Sequence, residues 1–533
     1  MRNNPVRLLF LESLLFICLL GIAFRLYGLS RGDQAAQAGV RQGQYHLHIQ
    51  LSGGVIYDRH FTPLNQSEPV LYAVVNPTPA AVASIFAGID DRTAVMTALQ
   101  KRKPFLCRLN APADSTQDLI VLNGTEKKAG VLPAQHLLGY IQNGKAAAGL
   151  EKAYAPWLEN CSTSADVTFS VDANGTVLSG AESSCTVTGT AGGGIVTTLD
   201  ARIQRIAEDA LAKAAPYAGA AVVLECETGA IAACASTPVY DPDRLADALS
   251  QPDAPFLNRA LSAYSVGSVF KLVTAANALE HGFTEKYLYD CTGDISFYGQ
   301  RFRCHNLNGH GLLDMQGALI QSCNPYFISL SRLMSPASMH ETAEKLGFGT
   351  AAEIANGLYS AAGYLPSEQE LEIEAERANM SFGQGKLLAT PLQIAAMTAC
   401  IGNDGIYTPP YIIGGLTTDG SQLLADEPPV PVRVLSHQTA FQLRKMMTAV
   451  LEKSKKSKGK PSNVRAAGKT STAQTGQFAP DGTEYCHAWM TGFFPVYLPQ
   501  YAVTVFIENG GSGNETAAPL FREIIEQIAA LPS

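Results

Sequence analysis

The sequence predicts an α+β fold carried behind a mixed, β-rich amino-terminal region, and three observations predict it. Five short apolar runs with strand character fall into two groups at opposite ends of the carboxy-terminal part, 220–225 and 230–235 early, then 466–475, 488–494 and 501–508 late. The long interval between the groups carries helical patterning, as in 269–280 and 390–399. A Gly-rich junction at 191–195 separates all of this from a differently patterned stretch before it. Strands of one sheet must lie side by side whatever their distance along the chain. The early and late groups therefore imply a single sheet whose apolar faces are covered by helices.

At the amino terminus, residues 8–29 form an apolar stretch long enough to cross a bilayer as one helix, with Arg2 and Arg7 ahead of it and Glu12 and Arg25 near its ends. The positive-inside rule leaves the amino terminus in the cytoplasm and everything after about Ser30 outside. A cleaved signal peptide is the rival reading, but no small-x-small cleavage site follows the apolar core. The expected division is 1–30 for tail and anchor, 31–190 for an amino-terminal pedestal-like domain and 191–533 for the larger domain. Within 31–190, short β-like runs such as 45–51 and 167–171 alternate with turns. After the junction, Asp200 is placed to cap a helix running to about Ala214, with Ile203, Ile206, Ala207 and Leu211 on one face. The two early strands are split by Glu227, Thr228 and Gly229, a turn signature that makes them a hairpin. In the last strand Val503, Val505 and Ile507 share a face, and a final helix is expected over 517–530.

Composition narrows the function. A chain of 533 residues suits two or three domains, and its net charge of −8 excludes a nucleic-acid binder, which needs a basic surface. The one basic run, 453–460, reads as a solvated loop, with contact to an anionic wall polymer or lipid as the alternative. The eleven cysteines show no CxxC spacing. Cys291 and Cys304 flank a segment of turn and strand character, and both a bridge and two separate thiols are consistent with it. His46 and His48 alternate on a strand with no third ligand in view, so no metal is expected there.

Three motifs carry chemistry. In Ser268-Val-Phe-Lys271 a serine at a helix start and a lysine three residues on share one helix face. A serine hydroxyl needs an adjacent base, and a lysine amine serves if burial or a second cation lowers its pKa. In Ser322-Cys-Asn324 a hydroxyl and a carboxamide two residues apart can enter one cleft from a tight loop, to relay a proton and hold an amide. In Lys469-Thr470-Ser471-Thr472 the strand alternation sends Lys469 and Ser471 to one side and the two threonines to the other, and an edge strand offers backbone N–H groups as an oxyanion hole. Each motif alone has an ordinary reading, respectively a chance match like Ser457-Lys-Gly-Lys460, a turn between helices, and a polar edge strand.

In this order the three resemble the S-x-x-K, S-x-N and K-T-G set of penicillin-binding proteins and class A β-lactamases. The resemblance extends to Asn258-Arg-Ala-Leu261, the run Tyr264–Lys271, Ser381-Phe-Gly-Gln-Gly385, Thr390-Pro-Leu-Gln393, and His487-Ala-Trp489 with Gly492 and Pro495. More loosely, Gly54-Val-Ile-Tyr-Asp58-Arg59 and Gly149-Leu-Glu151 resemble segments of the monofunctional, class B members. Four positions depart from the family pattern: Gly53 stands where arginine is usual, Phe61 where glycine is usual, Ser471 in place of the glycine of K-T-G, and the run before Gly267 lacks the common proline. The first two put an expected interdomain salt bridge in question, and the third bears on β-lactam affinity.

The resemblance implies a five-stranded antiparallel sheet flanked by helices, with an all-helical subdomain, and a peptidoglycan D,D-transpeptidase. Ser268 would be the nucleophile, Lys271 its base, Ser322 the proton relay and Asn324 the holder of the substrate amide. Lys469 would help keep Lys271 neutral, and Thr470, Ser471 and Thr472 would form the substrate-binding strand, the two threonines receiving the terminal carboxylate and the N–H groups of Ser268 and Thr472 the oxyanion. It further implies no metal or cofactor, stem peptides and β-lactams as ligands, and a membrane-embedded glycan polymerase as partner. A D,D-carboxypeptidase, a β-lactamase and a non-catalytic scaffold or sensor are the alternatives on the same fold.

Overall fold

The computed structural model describes residues 5–31, 43–89, 91–127, 129–213, 218–297, 299–454 and 457–532. Arg2, Ala214, and Lys455 and Lys456 of the basic run lie outside the described residues. The chain forms two compact units. The smaller comprises Met1–Gly53, Ser67–Lys127 and Ser162–Ala191, and the larger Gly54–Gln66, Lys128–Cys161 and Gly192–Ser533.

In the smaller unit one helix runs over Pro5–Arg31, and its segment Leu9–Gly28, of mean hydropathy 2.2, is long and apolar enough to cross a membrane. The strand Gln44–Ser52 pairs antiparallel with Thr163–Ser170, which pairs onward with Ser184–Thr188. Ile49, Leu51, Ala165, Val167 and Phe169 are buried on one face, while His46 and His48 turn outward to Thr168 and Asp166. A second sheet, of Phe105–Leu109, Gln66–Val75 and Leu119–Lys127, buries Ala73, Val75 and Leu119 against Ala81, Ile85 and Val95 of two helices.

Two stretches inside 31–190 belong to the larger unit, for a reason visible in pairing. The strand Val55–Tyr57 lies parallel to Gly194–Thr197, which pairs antiparallel with Ile413–Thr417. Asn65 Nδ2 donates to Glu151 Oε1 at 3.0 Å, joining the two segments that resemble the class B pattern. Phe61 keeps the backbone that glycine prefers, with φ at 60°. Arg59 forms an ion pair with Glu225.

The centre of the larger unit is a five-stranded antiparallel sheet. Its strands are β1 (Gly219–Glu225), β2 (Ile231–Thr237), β3 (Ala467–Phe478), β4 (Glu484–Phe494) and β5 (Tyr501–Ile507), in the order β2-β1-β5-β4-β3. Alternation divides its side chains between two layers. Ala221, Val223, Met490, Val503 and Val505 meet Ile203, Ala207 and Leu211 of α1 (Ala201–Ala212). The opposite face, with Val222, Leu224, Trp489, Phe493 and Phe506, packs on the helical layer. That layer holds α2 (Lys271–Glu280), α3 (Met315–Ile320), α4 (Asn324–Ser331), α5 (Pro391–Gly402) and α6 (His437–Lys453). α5 is buried at every position, which its apolar circumference requires, and Thr390 and Gln393 close its start as a capping box. The closing helix α7 (Ala518–Ile528) sets Phe521, Ile524 and Ile525 beside α1 on the first face.

Candidate active site

The three motifs meet where the start of α2, the α3–α4 turn and β3 converge. Ser268 sits half-buried in the 3-10 turn Gly267–Phe270 that feeds α2, so the next helical turn stacks Lys271 behind it. Gly267 has φ at 65°, and a Cβ there would run into Ser471 Oγ, so this close approach needs glycine. The loop is held from behind by the Ser381–Gly385 segment. Gly267 N donates to Gly383 O at 2.7 Å, a Cβ on Gly383 would strike Gly267 O, and Thr274 Oγ1 donates to Ser381 O at 2.8 Å. From the sheet side, Trp489 Nε1 donates to Ser265 O at 3.0 Å and Ser471 Oγ to Val266 O at 2.9 Å.

Lys271 is fully buried. Its Nζ lies 3.0 Å from Ser268 Oγ, 2.7 Å from Ser322 O, 2.7 Å from Asn324 Oδ1 and 3.2 Å from Ser322 Oγ. Ser322 Oγ is 2.9 Å from Ser268 Oγ and 3.2 Å from Lys469 Nζ, and so lies between both lysines and the nucleophile. Ser322 reaches this point through a left-handed backbone, φ 50°, a conformation of the kind that collects at functional sites. Burial first, and the Lys469 charge second, hold the Lys271 amine well below its ordinary pKa. Burial brings Lys469 down to about 7. A neutral amine has two N–H bonds and one lone pair. If the two 2.7 Å acceptors, Ser322 O and Asn324 Oδ1, take the N–H bonds, the lone pair faces Ser268 Oγ.

On β3 the alternation divides the motif as the spacing expects. Lys469, Ser471 and Ala473 are buried, while Thr470 is half-buried and Thr472 exposed. Ser471 therefore faces the Val266 carbonyl, away from the open side of the strand. Lys469 Nζ also donates to Thr470 O at 2.8 Å, and Thr472 Oγ1 accepts from Gly513 N at 3.2 Å. β3 is the outermost strand of the sheet, so alternate backbone N–H groups on its free edge have no strand partner.

Residues 219–526 match the family described as the penicillin binding protein transpeptidase domain. The chain belongs to this family, and it is of the class B type. It is 32% identical over 374 residues to the peptidoglycan D,D-transpeptidase PbpA of Mycobacterium tuberculosis, an alignment covering 63% of this chain and 72% of that protein. It is 25% identical over 601 residues to the peptidoglycan D,D-transpeptidase MrdA of Acinetobacter baumannii, covering 97% of this chain and 87% of that protein. Among solved structures, the imipenem acyl-enzyme of penicillin-binding protein A from M. tuberculosis superposes with a TM-score of 0.63 at 25% identity, over 79% of this chain and 95% of that one. A D,D-transpeptidase domain from Eggerthella lenta, at 23% identity, shares the fold with a TM-score of 0.65, over 90% of this chain and 98% of that one.

Sequence reasoning missed a group directly beside this penicillin-binding site. Cys323, the middle residue of the second motif, lies with Cys291, Cys304 and His310, all four donor atoms within 4.8 Å of one another. Cys291 and Cys304 are free thiols, and neither a bridge nor two isolated sulfurs describes them. Their spacing, C-x12-C-x5-H-x12-C, matches no short ligand pattern, and only the fold brings them together.

Proposed function

We propose that this class B penicillin-binding protein is a peptidoglycan D,D-transpeptidase in which Ser268 is acylated by a stem peptide and Lys271 is its base. The observation that carries the reading is the buried Lys271 amine 3.0 Å from Ser268 Oγ, with two nearer oxygens available to its N–H bonds. Ser268 passes its proton to Lys271 and attacks the carbonyl of the penultimate D-alanine. Ser322, in reach of both groups, returns a proton to the departing D-alanine amine. The N–H groups of Ser268 and Thr472 receive the oxyanion, typically worth about 3 kcal/mol per donor. Asn324 holds the substrate amide, and Lys469 with Thr470 and Thr472 receives the terminal carboxylate. Ser471 serves the strand from within, through its bond to Val266. An amine of a second stem peptide then resolves the acyl-enzyme. A β-lactam, which mimics the donor, stays attached.

The apolar helix serves in this reading as a single membrane anchor, with the amino terminus in the cytoplasm and the catalytic unit outside. Its hydropathy and the arginines ahead of it support this. The residues of 31–190 outside the larger unit act as the pedestal, and a membrane-embedded glycan polymerase is the partner that helix and pedestal would meet.

The test is to incubate the full chain with benzylpenicillin and follow intact mass beside Ser268→Ala. A lasting one-to-one adduct, absent in the variant, is expected. An adduct that vanishes within seconds while the drug is hydrolysed means a β-lactamase. No adduct on the wild-type chain overturns the catalytic assignment.

A further inference from the structure

The four grouped donors come from four separate segments, each fixed by its own backbone. Cys291 ends the strand Tyr289–Cys291, Cys304 follows the strand Gln300–Arg303, His310 precedes the strand Gly311–Leu313, and Cys323 caps the start of α4. His310 N donates to Cys291 O at 2.9 Å, Cys304 N to Gly293 O at 2.8 Å and Cys323 N to Ala318 O at 2.9 Å. Cys291, Cys304 and Cys323 are buried to 1%, 2% and 0% exposure, and Cys304 Sγ lies 3.5 Å from His310 Nδ1. Thiols are weak hydrogen-bond formers, so three of them facing one imidazole in a dry space gain little from each other. A tetrahedral ion about 2.3 Å from each sulfur would set the sulfurs roughly 3.8 Å apart, inside the observed spread.

We propose that Cys291, Cys304, His310 and Cys323 bind one Zn2+ ion, and that this ion sets the position of Ser322 and Asn324. The donor set of three sulfurs and one nitrogen selects a soft, tetrahedral divalent ion, and four protein ligands leave no open coordination position for chemistry. On binding, the three thiols release their protons to solvent and His310 coordinates as a neutral imidazole. The site is therefore structural, and its effect runs through one ligand. Cys323 is flanked by Ser322, held in a left-handed backbone, and by Asn324, the first residue of α4. Tying its sulfur to the segments that carry Cys291, Cys304 and His310 fixes a loop that α3 and α4 alone hold only at its ends. This positioning role rests on the catalytic reading above, whereas the metal site itself does not.

The experiment measures both parts separately. Zinc in the full chain is quantified by elemental analysis, and cobalt is exchanged into the site to reveal the visible absorption of a tetrahedral thiolate complex. About one zinc per chain is expected, with cobalt–thiolate bands. Both should fall in Cys304→Ser and in His310→Ala and persist in Cys185→Ser, an exposed cysteine elsewhere. Because a cluster variant can simply misfold, the wild-type chain is also stripped with a chelator and its acylation by a fluorescent penicillin timed. Acylation should slow by roughly tenfold or more and recover with added Zn2+. No metal after purification and zinc reconstitution overturns the site, as does a Cys291–Cys304 disulfide in the native chain or equal metal in all cluster variants. Full metal occupancy with acylation indifferent to its removal overturns the positioning role alone. Absent acylation at full occupancy counts against the catalytic reading and leaves the metal site standing.

Discussion

Replacing Lys469 by methionine should make the protein more stable and less able to be acylated. Lys469 is 1% exposed, and burial brings its amine from 10.5 to about 7. One pKa decade corresponds to about 1.4 kcal/mol, so keeping this group inside the fold costs roughly 5 kcal/mol near neutral pH. The bonds to Ser322 Oγ and Thr470 O offset this by about 1 kcal/mol each. The net expectation for Lys469→Met is a gain of about 3 kcal/mol at pH 6. The sign with pH follows from proton counts. Between about 7 and 10.4 the unfolded chain holds this proton and the folded chain does not, so wild-type stability rises with pH across that window. The variant lacks that slope, and its advantage should shrink steadily toward pH 10. Urea unfolding of both proteins at several pH values measures the gap. A gap that stays constant with pH, or a variant less stable at pH 6, refutes the argument. Benzylpenicillin labelling of the same samples should show the loss of acylation.

Ser471→Gly removes the bond to Val266 O and puts a glycine inside a strand, so a loss of about 1 to 2 kcal/mol in urea unfolding is expected. An unchanged midpoint would mean that serine here adds nothing to holding the nucleophile loop. Glu508→Gln breaks the pair with Arg259, whose side chain is 4% exposed against 27% for Glu508, and leaves the guanidinium with the carbonyls of Asp253 and Ala254. Its cost should be about 2 kcal/mol, read as a lowered unfolding midpoint. Gln393→Ala removes one half of the α5 capping box together with the side-chain amide that reaches Gly347 O, Thr350 O and Ala362 O. A loss of about 2 to 3 kcal/mol is expected by calorimetry, and a shift no larger than that of an ordinary surface substitution would contradict it.

The sheet was legible because its strands are written as runs of small and β-branched residues with turn signals between them. Val503, Val505 and Ile507 do share the face that meets α1 and α7. The helix after Asp200 was legible from its cap, and Asp200 Oδ1 does accept from Arg202 N at 2.9 Å. The three motifs could be found in the chain, but their meeting could not. Nothing local says that Ser322 stands 2.9 Å from Ser268 across fifty-four positions. The inclusion of Gly54–Gln66 in the larger unit was hidden for the same reason, since three-residue strands such as Val55–Tyr57 carry too little pattern to reveal a parallel partner at 194–197. The inward turn of Ser471 followed from strand alternation, whereas its acceptor, a carbonyl more than two hundred residues earlier, did not. The cysteine and histidine cluster shows the limit most plainly, because its spacing is set by two hairpin-like excursions and not by one short motif.

The strand made last is the one placed in the middle. β5 lies between β1 and β4, so both of its neighbours wait with an open edge until residues 501–507 arrive. A ribosome halted anywhere before that point releases no partly useful domain, only two separate ribbons with unpaired backbone edges of the kind that recruit one another between chains. Joining β1 and β2 to strands beyond residue 466 also closes a loop of more than two hundred residues, an entropic charge of roughly 5 kcal/mol met before any contact across it forms. For a cell this makes synthesis of the protein nearly all-or-none, and it places the moment at which the nucleophile loop becomes supported by Trp489 and Ser471 at the very end of the chain's production.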